Sequence, residues 1–533
     1  MKKIIKKSYK ILALFLLSTM ACTDLSERPY NVLVEEDLGS SPEVLAALTA
    51  PVYTRLTDLL YGWHGYFDLV EECSDAIVTP ARPNGWIDGG VYRNMHMHTW
   101  NAFQSHPSGL WNRAYGSLNI LNNALLNYQT IEGENIPVLV SELRALRAFY
   151  YYLLVDAFGN VPIVTEENLL TPDELPSQSS RREVFDFIEA ELLGIMDIIP
   201  EEKVYGKMNK WAAKMILAKI YLNAEVYIGE AKYQQAIAQV DDIINSGLYI
   251  LEPNYHTNFV TNNQSSREQI FSVIFDETRA GWFHYHWKTL HPASAATYNL
   301  GTAPWGGSAA IPQFIDTYEE GDSRFDIWIR GPQFSLSGQP IFNSMDPSLR
   351  EVQLDYQNTM GSVDATREYE GYRVGKYEIE IGSVGPLSND VPFFRYADAL
   401  MIKAESLLRT GNADAAAQIV TEVRMRSFEN PDDAIVTGAE LMQGSRYQYG
   451  NYESGSIVSL EGGDDIQYGR FLDELGYEFA AEFHRRQDLI RFGVFTSKSW
   501  LTHRPNGNHR TIFPIPQPAI DANPNLNQNP GYN

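Results

Sequence analysis

Two stretches of the chain gather aromatic side chains among glycine, asparagine and charged residues. Trp63, Trp86 and Trp100 fall in the first, with Asp75, Arg82 and Asn101 beside them; Trp282, Tyr285, Trp287 and Trp305 fall in the second. This set of residue types suits a sugar. A pyranose shows apolar C–H bonds on its faces and hydroxyls around its edge. An indole or phenol plane covers the face by area burial and dispersion, and carboxylate, amide and guanidinium groups bond the edge. Flat exposed rings are otherwise a solubility liability. Each ring serves equally well in a core, so the pattern predicts a platform built from two or three of the seven.

Other chemistries leave weaker traces. There is no His-Glu-x-x-His, no Gly-x-Ser-x-Gly, no Walker loop and no Gly-x-Gly-x-x-Gly. His96-Met-His98 could place two imidazoles on one strand face, but a metal site needs further ligands, and a packed pair beside the binding loops is the expected arrangement. Gly463-Asp-Asp465 and Glu35-Glu-Asp37 could meet Ca²⁺, yet neither follows the spacing of an EF-hand loop. Paired acids for glycoside hydrolysis depend on a separation in space that spacing along the chain does not give. No cofactor is expected. Cys73 is read as a buried apolar residue.

The elements that must position these rings follow from composition and periodicity. The chain has 533 residues, 44% of them hydrophobic and 12% aromatic, with a net charge of −25. Such acidity opposes nucleic-acid binding, which needs a cationic surface. Residues 1–21 form a basic segment and a short apolar core, a secretion signal too short to span a bilayer. It ends at Met20-Ala21-Cys22, a lipobox-like site, so Cys22 is expected to carry a lipid anchor and residues 22–40 to act as a tether. The mature chain loses five lysines and becomes more acidic still.

From Ser41-Pro42 a helix starts, Ser41 as cap and Pro42 at its first position, running to about Leu60. Helices are further expected over 111–128, 137–158 (closed by Gly159), 181–199, 207–227, 232–246, 395–409 and 413–426. Trp211, Ala212, Met215, Ala218 and Leu222 face Ala236, Ile237, Val240 and Ile244, a pairing that looks like a tetratricopeptide unit. The fold class is therefore mainly α, a tetratricopeptide-like scaffold of helical pairs with a large irregular, loop-rich subdomain. A single domain over 41–533 is expected, its scaffold at about 41–60, 111–249, 391–427 and 470–495. Its irregular, ligand-binding parts are about 61–110, 250–390 and 428–469.

The stretch Phe471 to Gly493 reads as one helix. Leu472, Leu475, Phe479, Phe483 and Ile490 share a face, and Glu478, Glu482, Arg485, Arg486, Asp488 and Arg491 alternate in sign, with Glu482 and Arg486 as an i,i+4 pair. Those charges form either a solvated face or a buried, paired set that pins the helix to its neighbours.

This stretch, with His484-Arg-Arg-Gln-Asp-Leu-Ile-Arg-Phe-Gly493 and the tail Phe513-Pro-Ile-Pro-Gln-Pro to Asn529-Pro-Gly-Tyr532, closely resembles the C-terminal signature of the SusD/RagB family. The Arg147-Ala-Phe-Tyr-Tyr helix leading to Phe158-Gly-Asn-Val-Pro162 resembles it too. The family usually has another residue where His484 stands. The resemblance implies a non-enzymatic, lipid-anchored protein at the surface of the outer membrane. It would bind glycan and act as a hinged lid on a SusC-like TonB-dependent transporter, its partner. It also implies that aromatics of the two stretches lie on the exposed face, with 75–100 matching the N-terminal part of the site. The same scaffold binding peptides or another nutrient, or a surface glycoside hydrolase, are the alternatives.

Overall fold

The computed structural model describes residues 42–532 apart from 172, 277, 279 and 280. Cys22, the leader, the tether, the Ser41 cap and Glu35-Glu-Asp37 lie outside the described residues. The helices stack in chain order. α1 (Pro42–Tyr61), which carries Pro51 inside it, packs on α3 (Ser105–Tyr128), and α2 (Tyr66–Glu71) bridges the two. α3 packs on α4 (Ile136–Phe158), α4 on α5 (Arg181–Leu193) and α5 on α6 (Lys210–Leu222). α7 (Tyr233–Asn245) lies against both α6 and α8 (Tyr396–Arg409), and α8 against α9 (Ala413–Met425). The protein is thus mainly helical, built from successive helical pairs, each covering an apolar face that its neighbour leaves open.

Local signals set the ends. Ser180 and Glu183 form a capping box at the start of α5, with Ser180 N–H donating to Glu183 Oε2 at 2.7 Å. Asn209 Oδ1 accepts from the N–H groups of Trp211 and Ala212 at the start of α6. α4 stops at Gly159, whose φ of 71° a side chain would resist. α4 is buried nearly all round from Ser141 onward, including Arg147 and Asp156, so it forms the axis of the stack. None of the described helices is long and apolar enough to cross a membrane.

The remaining chain is irregular. Its strands are short: β1 (Ile77–Val78) pairs antiparallel with β3 (Ala309–Ala310), and β2 (Gln269–Val273) with β4 (Val391–Arg395). The first pair ties the two aromatic stretches together. The second ties the irregular part to α8, which begins at the residue after β4.

The stretch expected as one helix from Phe471 is two. α10 (Gly469–Phe479) ends at Ala480, which is extended, and α11 (Arg485–Arg491) starts after a tight corner. Ala481 and Phe483 take φ of 61° and 69° there, a strained region for residues with a Cβ. Glu71 of α2 holds the corner by accepting the Phe483 N–H at 2.7 Å. Periodicity failed because the charges must reach different partners. Glu482 does not pair with Arg486; it bonds Lys376 at 2.6 Å and Arg395 at 2.7 Å, while Arg486 bonds Asp156 at 2.7 Å.

Of the two readings of these charges, the buried one holds. Glu478, Glu482, Arg485, Arg486 and Asp488 are all buried. Arg395 reaches Glu268 and Glu478, each at 2.7 Å, and Arg426 reaches the same two carboxylates at 2.5 Å. Glu474 takes Arg324 at 2.9 Å and Arg470 at 2.7 Å, and pairs also with Arg424. Removing one member of such a set leaves an unpaired buried charge, which is far more costly than losing an exposed pair.

Candidate binding site

Five of the seven sequence-selected rings meet. Trp63 and Trp86 lie 5.7 Å apart between ring centroids and are tilted by 35°. Trp305 stands 6.1 Å from Trp86 and 5.9 Å from Trp63. Trp287 follows at 5.7 Å from Trp305, and Trp282 at 6.5 Å from Trp287, nearly perpendicular to it. The tilt between neighbours makes the assembly a bent surface, not a stack. Trp63 and Trp282 are 44% and 52% exposed; Trp86 and Trp305 are half-buried, and Trp287 is buried, contributing support more than surface.

Backbone bonds place the rings. Trp305 N–H donates to Trp287 O at 2.6 Å, Gly306 N–H to Leu290 O at 2.8 Å and Gly307 N–H to Lys288 O at 2.7 Å. The segment carrying Trp305 is thereby laid along the helical turn Tyr285–Thr289. Gly307 must be glycine: an added Cβ would stand 2.8 Å from Lys288 O and 3.2 Å from the Trp86 ring. Arg113 of α3 donates to Asp58 at 2.8 Å and to Trp63 O at 3.0 Å, fixing the loop after α1.

Sequence reasoning missed His284 and Tyr92. The His284 ring lies 5.9 Å from Trp63 and 5.6 Å from Trp305, and its Nδ1 is 2.8 Å from Trp282 O. Burial brings its pKa down to about 4, so the ring is neutral at neutral pH. Tyr92 sits edge-on to Trp63 and Trp86. The signal for His284 was its place between Trp282 and Trp287; nothing in the spacing marked Tyr92.

The other selected residues serve the interior. Trp100 is 1% exposed; its Nε1 donates to Tyr532 OH at 2.8 Å and its ring packs on Phe513. Tyr285 is buried among Tyr61 and Phe67. Neither offers a face to a ligand. Asp75 is buried and accepts from Arg485 and from Tyr449 OH. Buried Arg82 donates to the carbonyls of Gly307, Arg367 and Glu370, so it braces the Trp305 segment from behind. Asn101 is exposed but follows Trp100, away from the rings, and caps Phe103 N–H at 2.9 Å.

His96 and His98 lie at the end of a short helix, not on a strand. His98 Nε2 is 2.8 Å from Cys73 O and its ring is 3.9 Å from that of His503. Burial lowers His96 to about 3 and pushes the Cys73 thiol up to about 12, which makes that thiol a poor nucleophile. Asp465 is taken by Lys498 at 2.7 Å. Among the described residues no three His, Cys, Asp or Glu side chains are placed to hold a metal ion. A cleft of about 920 Å³ elsewhere shares none of the five rings; acids such as Glu319, Glu320, Asp326 and Asp433 line it beside Arg330, Arg426 and the aromatic Tyr318, Phe325 and Phe428.

Residues 249–532 match the family model described as SusD family. The chain belongs to the SusD family. Residues 41–222 match a second model, described as starch-binding associating with outer membrane. The starch-binding protein SusD of Bacteroides thetaiotaomicron is 25% identical over 74% of this chain and 72% of its own length. A SusD-like protein of Formosa agariphila, P25, is 23% identical over 96% of this chain and 95% of its own. Among solved structures, surface glycan-binding protein A from B. thetaiotaomicron, in complex with laminarihexaose, superposes with a TM-score of 0.69. It is 18% identical and covers 92% of this chain and 99% of its own. At that identity the likeness establishes the SusD fold alone.

Proposed function

We propose that this SusD-family protein binds a glycan on the tryptophan surface formed by Trp63, Trp86, Trp282 and Trp305, and releases it unchanged. The exposed faces of Trp63 and Trp282, held in one bent cluster with Trp305 between them, carry the reading. A bent row of rings can cover successive sugar faces of one chain, each contact burying apolar area. Neutral His284, buried against Trp63 and Trp305, supports those rings without adding charge. The strongly acidic chain favours neutral glycans over anionic ones, which it repels. Relatives named as starch- or glycan-binding support the ligand class.

The protein acts at the outer membrane, held by a lipid on Cys22, and passes captured glycan to a SusC-like TonB-dependent transporter. Tethering beside the transporter raises the effective concentration of ligand at its mouth. Isothermal calorimetry of the chain from Thr23 against a panel that includes amylose fragments and laminarihexaose tests the binding step. Saturable binding to one glycan class, with the sugar recovered intact, is the expected result. Absence of binding across the panel, or shortened sugar, would overturn it. Retention in the outer-membrane fraction, lost on Cys22→Ser, tests the anchor.

A further inference from the structure

Beneath the rings lies a buried carboxylate that none of the selected residues accounts for. Asp68 of α2 accepts from His64 N–H at 3.1 Å and from Tyr92 OH at 2.8 Å, both on Oδ2, and from Lys288 Nζ at 2.6 Å on Oδ1. Lys288 is fully buried, also bonds Glu72 at 2.6 Å, and stands 4.3 Å from the centre of the Tyr92 ring. Glu72 in turn accepts from Thr79, whose hydroxyl is 2.7 Å from that of Ser308.

Each bond to Asp68 leads to a tryptophan. His64 follows Trp63 and takes a φ of 56°, a strained turn that the Asp68 bond secures. Tyr92 touches Trp63 and Trp86 edge-on. Lys288 follows Trp287, and its carbonyl receives Gly307, two residues beyond Trp305. One carboxylate therefore joins rings contributed by three separate segments of chain.

We infer that Asp68, with Lys288 clamped against it, is the positioning residue of the tryptophan surface and sets the spacing of its rings before ligand arrives. This rests on the reading of that surface as the glycan site. A surface ordered in advance binds without first giving up ring freedom, so its loss weakens binding without removing any ligand contact. Asp68 itself touches no ligand.

The test compares Asp68→Asn and Tyr92→Phe with Asp156→Asn, which breaks the buried pair with Arg486 away from the rings. Near-ultraviolet circular dichroism and acrylamide quenching report ring order with no ligand present. The ring signal should fall and quenching rise in Asp68→Asn, and to a lesser degree in Tyr92→Phe, with the helical far-ultraviolet signal kept; Asp156→Asn should match wild type. Glycan affinity should drop by about tenfold in Asp68→Asn, with the missing near-ultraviolet signal recovered at saturation. Ring spectra of both site variants that equal wild type overturn the inference, as does an affinity loss no larger than that of Asp156→Asn. Should Asp68→Asn fail to fold, Tyr92→Phe decides alone, since it deletes one hydroxyl. A wild type that binds none of the panel refutes the glycan reading, while the ligand-free spectra still decide the role of Asp68.

Discussion

The Arg485 guanidinium clasps Asp75 through two hydrogen bonds, of 2.7 and 2.9 Å, joining positions 410 residues apart. Both side chains are buried, and Tyr449 OH completes the carboxylate at 2.7 Å. Asp75→Ala should therefore cost about 3–5 kcal/mol of stability by stranding Arg485. Denaturant unfolding measures this, and an unchanged midpoint would show that the pair contributes nothing.

Trp63→Ala and Trp305→Ala should each weaken glycan binding by about tenfold, roughly 1.4 kcal/mol. For Trp63, already 44% exposed, thermal stability should barely change. Trp100→Ala should behave in the opposite way, losing about 3–5 kcal/mol of stability while the folded fraction binds as before. Calorimetric titration beside a melting curve separates the two classes. Equal affinity loss in all three variants would contradict the division between surface and interior rings.

Stability should fall on both sides of mildly acidic pH. Burial lifts Glu71 from 4.5 to about 8, so the folded protein keeps a proton that the unfolded chain releases. The stability tied to that proton is complete below 4.5 and is lost as pH rises through about 8. Burial also pushes Glu478 upward, but Arg426 and Arg395 outweigh it and hold the group at about 2; Arg491 and Arg409 do the same for Glu405. Those contributions are present above the usual carboxylate range and vanish as pH falls through about 2. Glu71→Gln should flatten only the upper limb of a plot of melting temperature against pH. An upper limb identical to wild type would remove Glu71 as its source.

The last residues close the core. Asn529 Nδ2 donates to Phe158 O at 2.9 Å and Phe513 O at 2.7 Å, and Tyr532 OH receives Trp100 Nε1. Truncation after Gln528 unpairs three buried polar groups at about 1 kcal/mol or more each, and should expose Trp100. A red shift of tryptophan emission and a lower melting temperature are expected; an unshifted spectrum would show that the tail is dispensable.

The helices were legible through the helical spacing of their apolar residues and, for α4, through Gly159 after Phe158; the caps at Ser180 and Asn209 emerge only in the structure. The break between Phe479 and Arg485 was not, because it is imposed by distant groups, Glu71 on Phe483 and Asp75 and Asp156 on the two arginines. The same reason explains the mixed result among the selected residues. Trp63, Trp86, Trp282, Trp287 and Trp305 share a type and a loop-rich setting with Trp100, and it is the docking of Phe513 and Tyr532, with His98 and Arg510, that takes Trp100 inside. Asp75 and Arg82 looked like sugar partners, but their polar atoms are committed to the chain, a fact set by residues more than 200 positions away. The role inferred for Asp68 was invisible for a related cause: His64 is only four residues away, but Tyr92 and Lys288 reach it from 24 and 220 positions off.

The corner after α10 also bears on how the chain comes into being. Glu71, Asp75 and Asp156 lie in the first third of the sequence, and their partners Phe483, Arg485 and Arg486 arrive in the last tenth. Until those late residues have been synthesised, Glu71 lacks the Phe483 N–H, Asp75 lacks Arg485, and Asp156 has Tyr227 but not Arg486. The bonds that pin this corner can therefore form only after nearly the whole chain has been made.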